Sequence, residues 1–227
     1  MKKEENKKSE IKVIVFDVGG VLMIPRYYIK KDGKEFSGIH EHIAHKLGIK
    51  FDEWFDAIDS LYVKSIIGEI SREKFIDTVS KRLKINKKRL VRTIIDCYRY
   101  KMKKNLYLFQ LVKKIRKNYV IGVLSDQWPL SREAIFPKKE NKNFDFVIIS
   151  YEVRVRKPHP EIYKLLMKKI HLLDKNVKAD EILFIDNRDY NLEPARKLGI
   201  KTILFENNKQ LGKELRKYNL KYFSYIK

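Results

Sequence analysis

Two aspartates each close a short run of apolar, β-branched and aromatic residues. Asp17 follows the run Ile11–Phe16 in IKVIVFDVGGVLM, and Asp186 follows Ile182–Ile185 in EILFIDNRDYN. If these runs are parallel strands, both carboxylates stand at the C-terminal edge of one sheet, where open α/β sheets bind their ligands. Two carboxylates converging there repel each other; a divalent cation offsets that repulsion, and an all-oxygen donor set favours Mg²⁺. A helix N-cap is the bland alternative for Asp17, but Gly19-Gly20 followed by Val21-Leu22 does not start a helix. Ser125, which ends YVIGVLSDQW, can hold an anionic oxygen with its hydroxyl and a neighbouring backbone N–H, although serine is also common in turns. Lys157 lies in SYEVRVRKPHPEIY. Among 51 basic residues its weight comes only from its place after a strand run and ahead of a proline-initiated helix.

The elements that must position these groups follow from the apolar pattern. Five runs, Ile11–Phe16, Tyr119–Leu124, Phe144–Ile149, Ile182–Ile185 and Ile200–Phe205, are apolar on consecutive positions, as suits parallel strands covered on both faces. Helical patterns alternate with them at Leu106–Lys117, Pro160–Ile170, Leu192–Leu198 and Lys209–Lys217, with Gly199 just past one helix end. Strands alternating with helices predict an α/β fold, a three-layer Rossmann-like parallel sheet. The interval Tyr27–Lys104 shows no buried strand and reads as amphipathic helices at Ile39–Leu47, Phe51–Ile67, Arg72–Leu83 and Lys88–Met102. The expected organisation is therefore a mobile basic tail over 1–10, an α/β core over 11–26 and 104–227, and an inserted helical cap over 27–103.

Composition bounds the class. The chain has 227 residues, 44% of them hydrophobic and 35% charged, enough for a sizeable core and against intrinsic disorder. A single cysteine, Cys97, allows no internal disulfide, and no run approaches the ~18 apolar residues of a membrane span, so a cytoplasmic protein is expected. The formal charge is +22, from 51 Lys+Arg against 29 Asp+Glu. Much of it is regional: 81–117 holds fifteen basic residues against one acid, Asp96. That stretch reads either as a lysine-rich solvated face or as a surface for an acidic partner or nucleic acid. No zinc-finger spacing, RNP text or basic region with heptads accompanies it.

Four motifs in order, FDVGGVL, VLSDQ, RKPHPEIY and FIDNRDYN, together with GEISREKF and NLEPARKLGIKTILFENN, make the chain similar to the haloacid dehalogenase superfamily. The resemblance implies a core with strand order fifth, fourth, first, second, third under a helical cap. It also implies phosphatase chemistry on a small phosphorylated substrate, with Asp17 as the nucleophile of an aspartyl-phosphate pathway. Mg²⁺ would sit on Asp17, the Gly19 backbone carbonyl, Asp186 and Asn187; Ser125, Asp126, Lys157 and Gly20 would surround the phosphoryl group. Three positions depart from the family pattern. Gly19 stands where many relatives carry an acid/base aspartate, Asn187 where a second acid is frequent, and Asp126 where asparagine is usual.

Three readings of Gly19 follow: selectivity for phosphates whose leaving group needs little protonation, a proton supplied from the cap or through water, or phospho-ligand binding with little turnover. Haloacid dehalogenation is disfavoured because that branch attacks carbon without a metal, through a different first motif. His40, His42 and His45 in IHEHIAH are expected to pack or be solvated rather than to hold a metal, with a cap proton donor as the minor alternative. Trp128 is placed to shape a cleft wall, Tyr27 and Tyr28 to touch substrate, and Cys97 to be a small buried apolar residue.

Overall fold

In the computed structural model of the chain, residues 10–26, 38–218 and 220 are described; Tyr27, Tyr28 and the tail over 1–9 lie outside them. In chain order the elements are β1 (Val13–Phe16), β2 (Met23–Pro25), α1 (Ile39–Leu47), α2 (Phe51–Ile58), α3 (Leu61–Ile66), α4 (Arg72–Leu83), α5 (Lys87–Lys101) and β3 (Met102–Lys104). There follow α6 (Leu106–Ile115), β4 (Val120–Ser125), α7 (Pro129–Ile135), β5 (Phe146–Ile149), α8 (Ser150–Val153), α9 (Pro160–His171), β6 (Ile182–Asp186), α10 (Asp189–Lys197), β7 (Lys201–Leu204) and α11 (Asn208–Arg216).

The five long apolar runs form one parallel sheet in the order β5-β4-β1-β6-β7. Alternate residues of the central strands feed two separate cores, which is why the runs are apolar at every position. Ile14, Phe16, Ile121, Val123, Leu183 and Ile185 face α6 and α11, while Val13, Val15, Leu124 and Phe184 face α9 and α10. The first of these cores continues into the inserted helices through Trp54, Phe75 and Leu90, so insertion and sheet share buried surface. Within the insertion α1 packs on α5 and α2, α4 packs on α2 and α5, and α5 lies against α7. Gly68, at φ +66, marks where this layer meets the core: a Cβ there would stand 2.1 Å from the Tyr151 carbonyl oxygen. Among the described residues no helix is long and apolar enough to cross a membrane.

One local expectation is corrected. The segment Phe51–Ile67 is not one helix. It breaks at Asp59-Ser60, where Ser60 takes φ 55, and polar side chains that compete for backbone partners favour such a turn. The break turns Tyr62 and Ile66 toward the sheet edge. At the ends of the interval β2, which precedes it, and β3, which has no buried residue, pair antiparallel, Met23 with Lys104 and Pro25 with Met102, and join the two chain passages into and out of the helices. Three-residue strands carrying Pro25 and two lysines have no apolar run to reveal them. A further helix with no apolar periodicity long enough to reveal it, α7, is started by Pro129 directly after Trp128.

The basic stretch is dispersed over α4, α5, β3 and α6 and partly matched by acids. Lys87 pairs with Asp77 at 2.5 Å, Lys104 with Glu140 at 2.7 Å and Arg116 with Asp145 at 2.9 Å.

His40 and His42 pack inside the insertion, and His45 is exposed. His40 Nδ1 accepts from Trp54 Nε1 at 3.2 Å and its ring meets Tyr62 edge-on, while the buried His42 stacks on Tyr100 at 5.3 Å. Burial lowers the His40 pKa to about 4; burial, aided by Lys101, Lys46 and His45, does the same to His42. Between 6.5 and 4 the unfolded chain therefore binds protons that the native state refuses, so stability falls as pH drops through that window and is unaffected by these groups above it. In urea unfolding followed by circular dichroism, His40→Asn/His42→Phe is expected to lose less stability than the wild type between those pH values. Equal slopes would show that neither histidine is held neutral.

Candidate functional site

The register of β1 and β6 sets Phe16 opposite Ile185, and Asp17 N donates to Ile185 O at 2.9 Å, so Asp17 and Asp186 emerge level on adjacent strands. On the other side of β1, β4 ends in Ser125 at the same edge. The turn after α8 returns Lys157 to this edge. Its Nζ donates to Asp17 Oδ1 at 2.9 Å, Asp186 Oδ2 at 2.6 Å and Leu124 O at 3.1 Å.

All of these groups are buried: Lys157 is 2% exposed, Asp17 6%, Asp186 0% and Ser125 1%. Two carboxylates against one ammonium leave a buried negative balance, which attracts a cation. Burial, reinforced by the nearby Asp186, raises the Asp17 pKa, and Lys157 works against that rise. Burial disfavours the Lys157 ammonium, but Asp17, Asp186 and Asp126 outweigh it and hold its pKa above the ordinary value. Asp186 is held in turn by Arg188 N at 2.8 Å and by Asn191 Nδ2, which donates to its two oxygens at 3.2 and 3.1 Å. Asn191 was not anticipated. Its signal is positional, in the first turn of the helix that follows Asp186.

The remaining candidate residues border the same space. Asp126 Oδ1 accepts the Lys157 backbone N–H at 3.0 Å, so this acid fixes the turn that delivers the lysine, and its extra negative charge acquires a structural reason. Burial raises its pKa while Lys157 opposes. Gly20 sits at φ +87, and a Cβ on it would stand 2.3 Å from Asn187 Nδ2. Only glycine satisfies both the backbone angle and that close approach. Gly19 is different, since a Cβ there meets nothing within 4 Å.

Ser125 Oγ and Asn187 Oδ1 are among the buried oxygens here that lack a hydrogen-bond partner, as is Asn191 Oδ1. Among the described residues no three His, Cys, Asp or Glu side chains cluster as a metal site. A cation here would depend on the carboxylates of Asp17 and Asp186, Asn187 Oδ1 and the Gly19 carbonyl. That set consists of hard oxygens, which fits Mg²⁺ rather than a softer metal.

A cleft of 340 Å³ opens over this edge, bordered by Gly19, Gly20, Asp126 and Asn187 below and by Tyr62 of α3 and Tyr98 of α5 above. Trp128 forms part of its wall, as its place after Ser125 led us to expect. The histidines of α1 contribute no lining. Cys97 is buried, and burial raises its thiol pKa to about 11.

Comparison with known proteins identifies the scaffold. The family model for haloacid dehalogenase-like hydrolases matches residues 11–199. A solved HAD family enzyme from Bacteroides thetaiotaomicron, a magnesium complex, superposes with TM-score 0.70 over 92% of this chain and 100% of its own at 22% identity, and so shares the fold. Bifunctional epoxide hydrolase 2 of Mus musculus is 38% identical over 77 residues, which are 34% of this chain and 13% of that protein. Glyceraldehyde 3-phosphate phosphatase of Pyrococcus furiosus is 30% identical over 112 residues, 48% of this chain and 45% of that enzyme. The chain thus spans a small part of one relative and under half of the other, but the family model covers most of its own length, from the first strand past Asp186: it belongs to the haloacid dehalogenase-like hydrolases.

Proposed function

We propose that the chain is a Mg²⁺-dependent phosphatase acting on a small phosphate ester, with Asp17 as nucleophile and α1–α5 as the cap over its substrate. The observation that carries this is Lys157 Nζ lying 2.9 and 2.6 Å from two buried carboxylates on adjacent strand ends, beside the unpartnered oxygens of Ser125 and Asn187. The relative from Pyrococcus furiosus is named for a phosphate ester and the fold neighbour is a magnesium complex, which supports both parts of the proposal. A chain with one cysteine and no internal disulfide also suits a cytoplasmic setting.

An Asp17 carboxylate oxygen attacks phosphorus as the P–O bond to the leaving group breaks, and that oxygen departs with the bonding pair and takes up a proton. Water then attacks the phosphorus of the aspartyl-phosphate, releasing inorganic phosphate and restoring the carboxylate. Ser125 Oγ–H and Lys157 hold the phosphoryl oxygens, the lysine offsetting their charge where little water screens it. Mg²⁺, when bound to Asp17, Asp186, Asn187 and the Gly19 carbonyl, offsets the charge gathered on the transferring group. Asp126 keeps Lys157 in place. Gly19 supplies no proton, so leaving groups stable as anions are favoured.

The test is phosphate release from esters graded by leaving-group pKa. Rates are expected to fall steeply as that pKa rises, and chelation is expected to abolish them. Gly19→Asp, for which the backbone leaves room, is expected to raise rates on alkyl phosphates by about 10²–10⁴ and to flatten the dependence. Halide release from a 2-haloacid that survives chelation would overturn the phosphatase proposal.

A further inference from the structure

Beyond the phosphoryl end, one polar side chain on the cleft wall has nothing to bond to. Gln127, two residues after Ser125, is 3% exposed and lines the cleft, and neither Nε2 nor Oε1 of its carboxamide has a hydrogen-bond partner. Its backbone is fixed at both ends: Gln127 N donates to Ser150 Oγ at 3.0 Å, and Ser150 Oγ donates to Gln127 O at 3.2 Å. A buried carboxamide with both ends unmet is costly, and such a group in a native protein calls for a ligand or a functional reason.

Its neighbours' polar tips are already engaged. Trp128 Nε1 donates to Tyr98 Oη at 2.9 Å, and Ser131 Oγ donates to Trp128 O at 2.9 Å. Tyr62 meets Trp128 edge-on at 5.5 Å. With those tips turned to one another, the rings of Tyr62, Tyr98 and Trp128 with Ile66 and Met102 give the cleft a largely apolar face, while Asp126, Ser131, Asn187 and Arg188 also border it. A polyol phosphate would leave most of its hydroxyls unpaired against such a wall, whereas a flat ring gains contact along it.

We propose that Gln127 is the specificity-determining residue of the leaving-group site, and that the substrate is an aryl or heteroaryl phosphate whose ring carries one carboxamide-like edge able to donate and accept together. This rests on the phosphatase proposal above and gives Gly19 a reason. Phenolic oxygens depart as comparatively stable anions, so the P–O bond breaks without a positioned acid.

The experiment measures kcat and KM of wild type, Gln127→Leu and Gln127→Glu with Mg²⁺ on phenyl phosphate, 3-carbamoylphenyl phosphate and glycerol phosphate. The ratio of kcat/KM for the carbamoyl ester to that for phenyl phosphate is expected to be at least about tenfold higher in wild type than in Gln127→Leu, mainly through KM. Comparing ratios cancels both the difference in leaving-group acidity and any loss of folded enzyme. Gln127→Glu keeps the acceptor and loses the donors, so its ratio is expected to fall between the two. A ratio unmoved by Gln127→Leu, with phenyl phosphate still turned over, would overturn the role of Gln127 and leave the phosphatase proposal standing. Preference of the wild type for glycerol phosphate would overturn the substrate class. If no ester releases phosphate, the phosphatase proposal fails and this inference falls with it.

Discussion

Asp17→Asn is expected to lower phosphate-ester turnover by at least about 10⁴-fold while leaving the protein folded. The substitution keeps the shape of the side chain and removes the oxygen charge that attacks phosphorus. Lys157 retains its bonds to Asp186 Oδ2 and Leu124 O, so the turn carrying it has no cause to move. The site's charge also changes from two carboxylates and one ammonium to one of each, which removes both the burial of the Asp17 charge, the main cause of its raised pKa, and its repulsion with Asp186. Thermal stability is therefore expected to be equal to that of the wild type or higher, so lost activity cannot be ascribed to lost structure. Both quantities are read on the same preparation, by phosphate release and by calorimetry. Activity within about tenfold of the wild type would end the assignment of Asp17 as nucleophile.

Asp17, Asp186 and Ser125 were legible in the sequence because each terminates an apolar run, and consecutive strands of a parallel sheet present such termini along one edge. Lys157 was legible only through its place before Pro158, since nothing local distinguishes it from the other lysines. What the sequence withheld depends on partners rather than on neighbours. Asn191 acts on Asp186 across a turn, and Gln127 matters because the atoms around it are already paired, a property no local pattern encodes. Periodicity located the helices of the insertion and their apolar faces, but not the break at Asp59-Ser60 that sets Tyr62 over the cleft. The pairing of β2 with β3 was hidden for the same reason: Met23 pairs with Lys104 and Pro25 with Met102 across the whole insertion, and each strand is too short to show a period. Asp126 looked anomalous beside a phosphate site until its carboxylate was found on the Lys157 backbone.

The largest effect on stability is expected from Lys157→Met. Methionine matches the length of the stem but removes the only cation bonded to Asp17 and Asp186 among the described residues, leaving two carboxylates buried and facing each other. Breaking a buried ion pair from one side costs about 3–5 kcal/mol, because the charge left behind has lost its water without keeping its partner. In chelator, urea unfolding of Lys157→Met is expected to show a loss of that size. Saturating MgCl₂ is expected to recover part of it and to stabilise the variant more than the wild type, since the metal then offsets the two carboxylates alone. Adding Asp17→Asn to Lys157→Met separates this from a packing defect: if the cost is electrostatic, the double variant is more stable than Lys157→Met, and the coupling between the two positions is large and favourable. Equal stability of the single and double variants would place the cost in packing. It would also mean that the carboxylate pair is not the charged cation site on which the phosphatase proposal depends.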